Sequence, residues 1–235
     1  MQALKTSLSK KGFDIQVWFS SSVYNDYLSA KGLSDYHLPV HESKCMLVGN
    51  TKNLWPCFIE KANGQTLDSY TLSQIYSVTK EYVNKFSVYF VFDDYIIHKD
   101  QITKGKKRIA FQTLGQSIGF SSTIPGTGLA VTREHGPWFA FRAVIVFHDQ
   151  ISDDDSKYSK QNIQVLEKWI NEPITADQLK SFEKMTQDAL SFTDSYKKLI
   201  EIRKEIGILL HKKALEYGYN QMMYHYTKSE EFLKL

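Results

Sequence analysis

The segment WFAFRAVIVF, residues 138–147, constrains the fold more than any other part of this 235-residue chain. Every residue in it but one is aromatic or aliphatic, the make-up of a buried β-strand. Alternation along a strand puts Trp138, Ala140, Arg142, Val144 and Val146 on one side, and Phe139, Phe141, Ala143, Ile145 and Phe147 on the other. Both sides are apolar, so the strand is expected at the centre of a sheet, with Arg142 enclosed. A guanidinium kept from water and unpaired costs several kcal/mol, on the order of a whole domain's net stability. Two kinds of partner fit. One is Asp93 or Asp94, at the end of the preceding strand, in a structural ion pair; the other is the carboxylate or thiolate of a ligand, gripped by the guanidinium fork inside a pocket.

The length allows one large domain or two small ones, and a single domain is favoured: an α+β core over residues 1–150 with a helical region, 151–235, packed on it. A formal charge of +3 is too mild for a nucleic-acid partner. The one basic cluster, Lys104, Lys106, Lys107 and Arg108, reads as a solvated helix start or an anion site. Cys45 and Cys57 form no metal or disulfide pattern, and the seven histidines include no H-E-x-x-H, so no metal is expected. There is no P-loop. MQALKTSLSKKG lacks the apolar stretch of a secretory signal, and no segment has the length of a membrane span, so a cytoplasmic protein without a membrane partner is expected.

Along the chain, the spacing of Leu4 and Leu8 predicts a helix over residues 2–11, followed by the strand FDIQVWF, a helical turn from Asn25 to Ala30, and the buried strand CMLVGN. Lys52 to Lys61 reads as a helix. SYTLSQIYSVTKEYVNKF reads as an amphipathic one with Leu72, Ile75, Tyr76, Val83 and Phe86 near one face. SVYFVFDDY is a strand, and Arg108 to Phe120 a helix. The loop STIPGTG then leads to LAVT, the turn REHGP and WFAFRAVIVF, which together read as a β-hairpin. ISDDDSKYSK reads as a linker. Helices are expected over Gln161–Ile170, from Thr175 onward, over Ser195–Tyr217 and over the last residues. The fold class is α+β, an antiparallel sheet flanked by helices with a helical C-terminal region.

Three stretches, GFDIQVWFSSSVYNDYL with YHLPV, KKRIAFQTLGQSIG, and GTGLAVTREHGPWFAFRAVIVF, occur in an order and spacing that resemble the cobalamin-processing proteins of the cobalamin C type, the cyanocobalamin decyanases and alkylcobalamin dealkylases. The resemblance covers residues 12 to 148. It implies a nitroreductase-like sandwich that holds cobalamin with its nucleotide base detached from cobalt. It further implies glutathione-dependent dealkylation and reductive decyanation, with a thiol or a flavin, FMN or FAD, as electron source. By this resemblance Arg142 positions glutathione and is the catalytic residue, with Lys228 as a second candidate for the tripeptide. Gln112, Gln116, Thr127, Gly128, Ala130, Val131 and Trp138 are expected around the corrin; the family often carries a histidine where Gln116 stands. A flavoprotein reductase and a downstream cobalamin carrier are the candidate protein partners, and the chain itself is either a monomer or a weak homodimer. A non-catalytic cobalamin carrier and a flavin-dependent reductase of the nitroreductase type remain as alternatives.

Overall fold

A computed structural model describes residues 1–40, 42–61, 64–91, 95–98, 101–104, 108–148, 166–170, 172–190 and 195–233. Helix α1 (Gln2–Lys10) leads into strand β1 (Ile15–Ser20), helix α2 (Ser21–Ser29) and strand β2 (Lys44–Asn50). Helices α3 (Leu54–Lys61) and α4 (Leu67–Tyr82) precede strands β3 (Phe86–Phe90), β4 (Tyr95–His98) and β5 (Gln101–Lys104). Helix α5 (Phe111–Ser117), the short strands β6 (Ser122–Thr123) and β7 (Ala130–Val131), and strand β8 (Ala140–Phe147) follow. The C-terminal part carries a helical stretch over residues 166–170, then α6 (Ala176–Leu190), α7 (Ser195–Leu209) and α8 (Tyr219–Thr227). No helix among the described residues is long and apolar enough to cross a membrane.

The α+β class holds. The main sheet runs β1-β2-β8-β3-β4-β5 with every neighbouring pair antiparallel, so the last of the described strands is inserted between β2 and β3. That central place is what the two-sided apolar character of WFAFRAVIVF requires. On one face Met46, Val48, Val88, Ala143, Ile145 and Phe147 pack under α1, α3 and α4, and Tyr224 of α8 joins the same cluster. On the other face Val17, Leu47, Tyr89, Val144 and Val146 pack under α2 and α5. A further cluster ties Ile124 and Val131 to Phe182, Ile202 and Ile206 of the C-terminal helices.

Local chemistry sets the helix starts. The Ser20 hydroxyl accepts from the Ser22 N–H at 3.4 Å, so α2 begins at Ser21, earlier than the turn expected from Asn25. The Thr66 hydroxyl caps α4 at the Ser69 N–H, 3.2 Å away. Ahead of α6, Thr175 N–H donates to Gln178 Oε1 and Gln178 N–H to Thr175 Oγ1, a reciprocal capping box. The buried side of α4 is Leu67, Tyr70, Thr71, Ile75, Val78 and Thr79. Val83 and Phe86, expected on the helix, lie beyond its end, and Phe86 opens β3. Helix α7 stops at Leu209 rather than Tyr217, because His211 takes a left-handed φ of 54° and residues Lys213–Leu215 form a separate 3-10 turn.

Two expectations about β8 are corrected. No hairpin joins LAVT to it: β7 pairs with β6 in a separate two-stranded sheet, and only an isolated bridge, Thr132 to Gly136, spans the turn. Both edges of β8 are taken by the longer strands β2 and β3, while Val131 is drawn into the C-terminal helical cluster. Nor does alternation run unbroken. Val48 pairs with Ala143 and Gly49 with Phe141, which leaves Arg142 as the extra residue of a β-bulge. The bulge reverses the alternation, so Phe139 and Phe141 join the face of Val144 and Val146 rather than that of Ala143 and Ile145.

Gly49 is what lets β2 approach the bulge, since a Cβ there would stand 2.7 Å from the Ala140 carbonyl oxygen. Gly49→Ala is therefore expected to destabilise the fold by about 1–3 kcal/mol, the usual cost of overpacking. Urea denaturation would register it as a lowered midpoint at unchanged slope; a wild-type midpoint would mean that the strand pair absorbs the methyl group.

Candidate functional site

At the bulge, Arg142 is 5% exposed, and its Nε donates to Asn50 Oδ1 at 2.6 Å. Asn50 ends β2 and is itself fully buried, with its amide nitrogen donating to the Thr51 carbonyl at 2.6 Å. Among the described residues the partner that anchors Arg142 is thus a neutral amide, which orients the guanidinium without cancelling its charge. Asp93 and Asp94, considered as partners from sequence, lie outside the described residues. Burial pushes the pKa of Arg142 down, opposed by Tyr217 and by the negative field of Asp68.

Arg142 lines a cavity of about 610 Å³, a size that encloses a small organic ligand. Its walls divide by chemistry. Ile109, Phe111, Leu129, Phe139 and Phe141 form an apolar side, while Arg142, Arg203, Lys228, His225 and Asp68 form a polar one. Of the residues expected from sequence, the cavity brings together Gln112, Gly128, Ala130, Arg142 and Lys228. Gln112 is exposed, and its amide nitrogen donates to the Gly128 carbonyl at 2.7 Å, tying α5 to the glycine loop.

The other four lie outside the lining. Gln116, one helical turn beyond Gln112, is partly buried, and Thr127 spends its hydroxyl on the Ile124 carbonyl and the Leu129 N–H. Val131 is fully buried in the C-terminal cluster. Trp138 is 1% exposed and packs with Tyr217 and Met222 behind the polar wall.

Arg203 is the residue that the sequence reading missed. It sits on α7, 6% exposed, with Nη2 donating to the Phe139 carbonyl at 3.4 Å and with no hydrogen-bond partner for Nε or Nη1 among the described residues. Its guanidinium carbon stands 5.6 Å from the Tyr217 ring centroid, 5.8 Å from Trp138 and 5.9 Å from Tyr226, a cage that supports the charge through the ring faces. Gly207 permits this packing, because a Cβ there would strike Trp138 Nε1 at 2.6 Å. A signal was present in the sequence. Arg203 interrupts the apolar stripe of Ile202, Ile206 and Leu210, just as Arg142 interrupts its strand.

Lys228 closes α8 in the left-handed conformation, φ 58°, with its N–H donating to the Tyr224 carbonyl at 2.9 Å. Burial, then the field of Arg142, lowers its pKa, while Asp68 acts in the opposite direction. His225, on the same helix, is half-buried; desolvation and the cations Arg203, Arg142 and Lys228 hold its pKa well below 6.5. The polar wall therefore offers fixed cations around a neutral imidazole, with guanidinium donors left open. Such a wall is complementary to anionic groups, and the same cavity offers an aromatic surface.

No protein-family model matches the sequence, and no curated protein matches it. Among solved structures, the chain is similar in fold to the B12-trafficking protein CblC of C. elegans, a human MMACHC homologue. The TM-score is 0.64 at 16% sequence identity, over 99% of this chain and 93% of that one.

Two outcomes follow for this site. Asn50→Leu strands the buried Arg142 Nε–H without an acceptor and should cost about 1–3 kcal/mol in thermal or urea unfolding; an unchanged stability would mean that the anchor is replaceable. The unfolded chain protonates His225 near 6.5, and the folded one only well below that value. Stability contributed by the neutral imidazole is then complete above about 6.5 and lost as pH falls. His225→Gln should flatten that acid-side loss relative to wild type, and identical pH–stability curves would contradict it.

Proposed function

We propose that the chain is a corrinoid-processing protein of the cobalamin C type. In this reading it binds cobalamin with the nucleotide base detached and removes the upper axial ligand, by transfer of an alkyl group to glutathione or by reductive loss of cyanide. The observation that carries this reading is the cavity in which a buried Arg142, anchored by a neutral amide, shares one wall with Arg203 and Lys228 and faces an aromatic wall. The likeness in fold to a B12-trafficking protein over nearly the whole chain supports the corrinoid as the large ligand.

The chemistry asks little of the protein beyond placement. Arg142, Arg203 and Lys228 receive the carboxylates of the tripeptide and stabilise the thiolate; the thiol proton leaves to solvent. The sulfur then bonds to the alkyl carbon above cobalt, and both electrons of the cobalt–carbon bond stay on the metal, leaving cobalt(I) and a thioether. Holding nucleophile and target next to each other removes much of the entropic barrier. Gln112, Gly128 and Ala130 would meet the corrin edge, and Phe111, Phe139 and Phe141 its apolar surface. For cyanocobalamin the electrons come from a thiol or a reduced flavin, and the cationic wall favours the thiol.

A spectral titration tests this. Methylcobalamin mixed with the protein should shift to the base-detached spectrum, and glutathione should then bleach the cobalt–carbon band. Arg142→Ala and Arg142→Lys should keep the shift while slowing the bleaching, roughly a hundredfold for alanine. A shift without bleaching in wild type would mark a carrier, a yellow purified protein a flavin enzyme, and no shift would overturn the corrinoid itself.

A further inference from the structure

We propose that Asp68 is the receptor for the ammonium group at the γ-glutamyl end of the thiol peptide, so that the cavity selects thiols ending in an α-amino acid. This rests on the thiol-dependent reading above. Asp68 stands in the first turn of α4, and among the described lining of the cavity it is the one carboxylate beside Arg142, Arg203 and Lys228. No ion pair engages it among the described residues, although Arg142 and Lys228 both lie in its field.

Its position is fixed by the neighbouring residue. The buried Leu67 N–H donates to the Tyr224 hydroxyl at 3.4 Å, and the carbonyl of Tyr224 accepts from Lys228 N–H at 2.9 Å. One tyrosine thus ties the start of α4 to the end of α8, with Asp68 and Lys228 flanking it. An acidic group held beside cations yet unpaired with them is matched by a ligand that carries both signs on adjacent atoms. The γ-glutamyl end of glutathione does so, because its α-carboxylate and α-ammonium share one carbon.

The groups also match in number. Glutathione as thiolate presents two carboxylates, one thiolate and one ammonium; the wall presents Arg142, Arg203 and Lys228 against Asp68. His225, kept neutral by burial and by the same cations, does not compete with the ammonium for the carboxylate. A thiol peptide without the amine leaves Asp68 facing the ligand's own carboxylate, which is repulsive.

Calorimetric titration of the full chain with glutathione and with glutaryl-cysteinylglycine, which lacks only the amine, decides the matter. Wild type should bind glutathione about tenfold more tightly, the weight of one charge-assisted hydrogen bond. In Asp68→Asn the ratio should close to within about twofold, by weakening glutathione and not the amine-free peptide. Equal affinities in wild type, or a variant that weakens both peptides alike, would overturn the assignment to Asp68 alone. If neither peptide binds while the corrinoid spectral shift persists, the thiol-dependent reading falls and this one with it. The amine-free peptide needs no variant, so the wild-type ratio stands as a test even where Asp68→Asn fails to fold.

Discussion

A cation sealed into the middle of a sheet governs this structure. Arg142 reaches its place through a bulge in β8 that requires Gly49 across the strand pair, and Asn50 grips one edge of its guanidinium. A carboxylate in the place of Asn50 would cancel that charge within the protein. An amide supplies the acceptor that burial demands and leaves the charge for something else.

The rest of the polar wall is recruited from distant parts of the chain. Arg203 comes from α7, His225 and Lys228 from α8, and Asp68 from the start of α4. Aromatic rings rather than carboxylates surround Arg203, and Tyr217, whose hydroxyl is pushed up to about 12 by burial, stays protonated beside it. Like charges brought together in this way repel, and the fold tolerates the repulsion because the sheet core and the aromatic layer of Trp138, Tyr217 and Met222 hold the elements in place. Repulsion of this kind would be relieved by an anionic ligand.

The aromatic wall belongs to the same design. Phe139 and Phe141 would lie with Ala143 and Ile145 if β8 were regular; the bulge swings them to the opposite face, where they meet Phe111 and Phe120. A single inserted residue therefore sets both the guanidinium and the rings, which is why the polar and apolar walls of the cavity meet at Arg142.

The sequence alone determined a good deal: an α+β chain, a central strand within residues 138–147, a buried Arg142 in want of a partner, and helices after residue 175. These are legible because apolar periodicity and the cost of a dry charge act locally, on residues adjacent in the chain. The resemblance of residues 12 to 148 pointed to the fold that the structural comparison then found. Only the tertiary structure decided that β7 leaves β8 for β6, that the alternation breaks at Arg142, and that Asn50 accepts from the guanidinium. It alone placed Arg203 and Asp68 in the cavity and set Trp138 behind it. A bulge depends on how two strands register, and a pocket on how separate elements pack; neither is a property of any short stretch of chain.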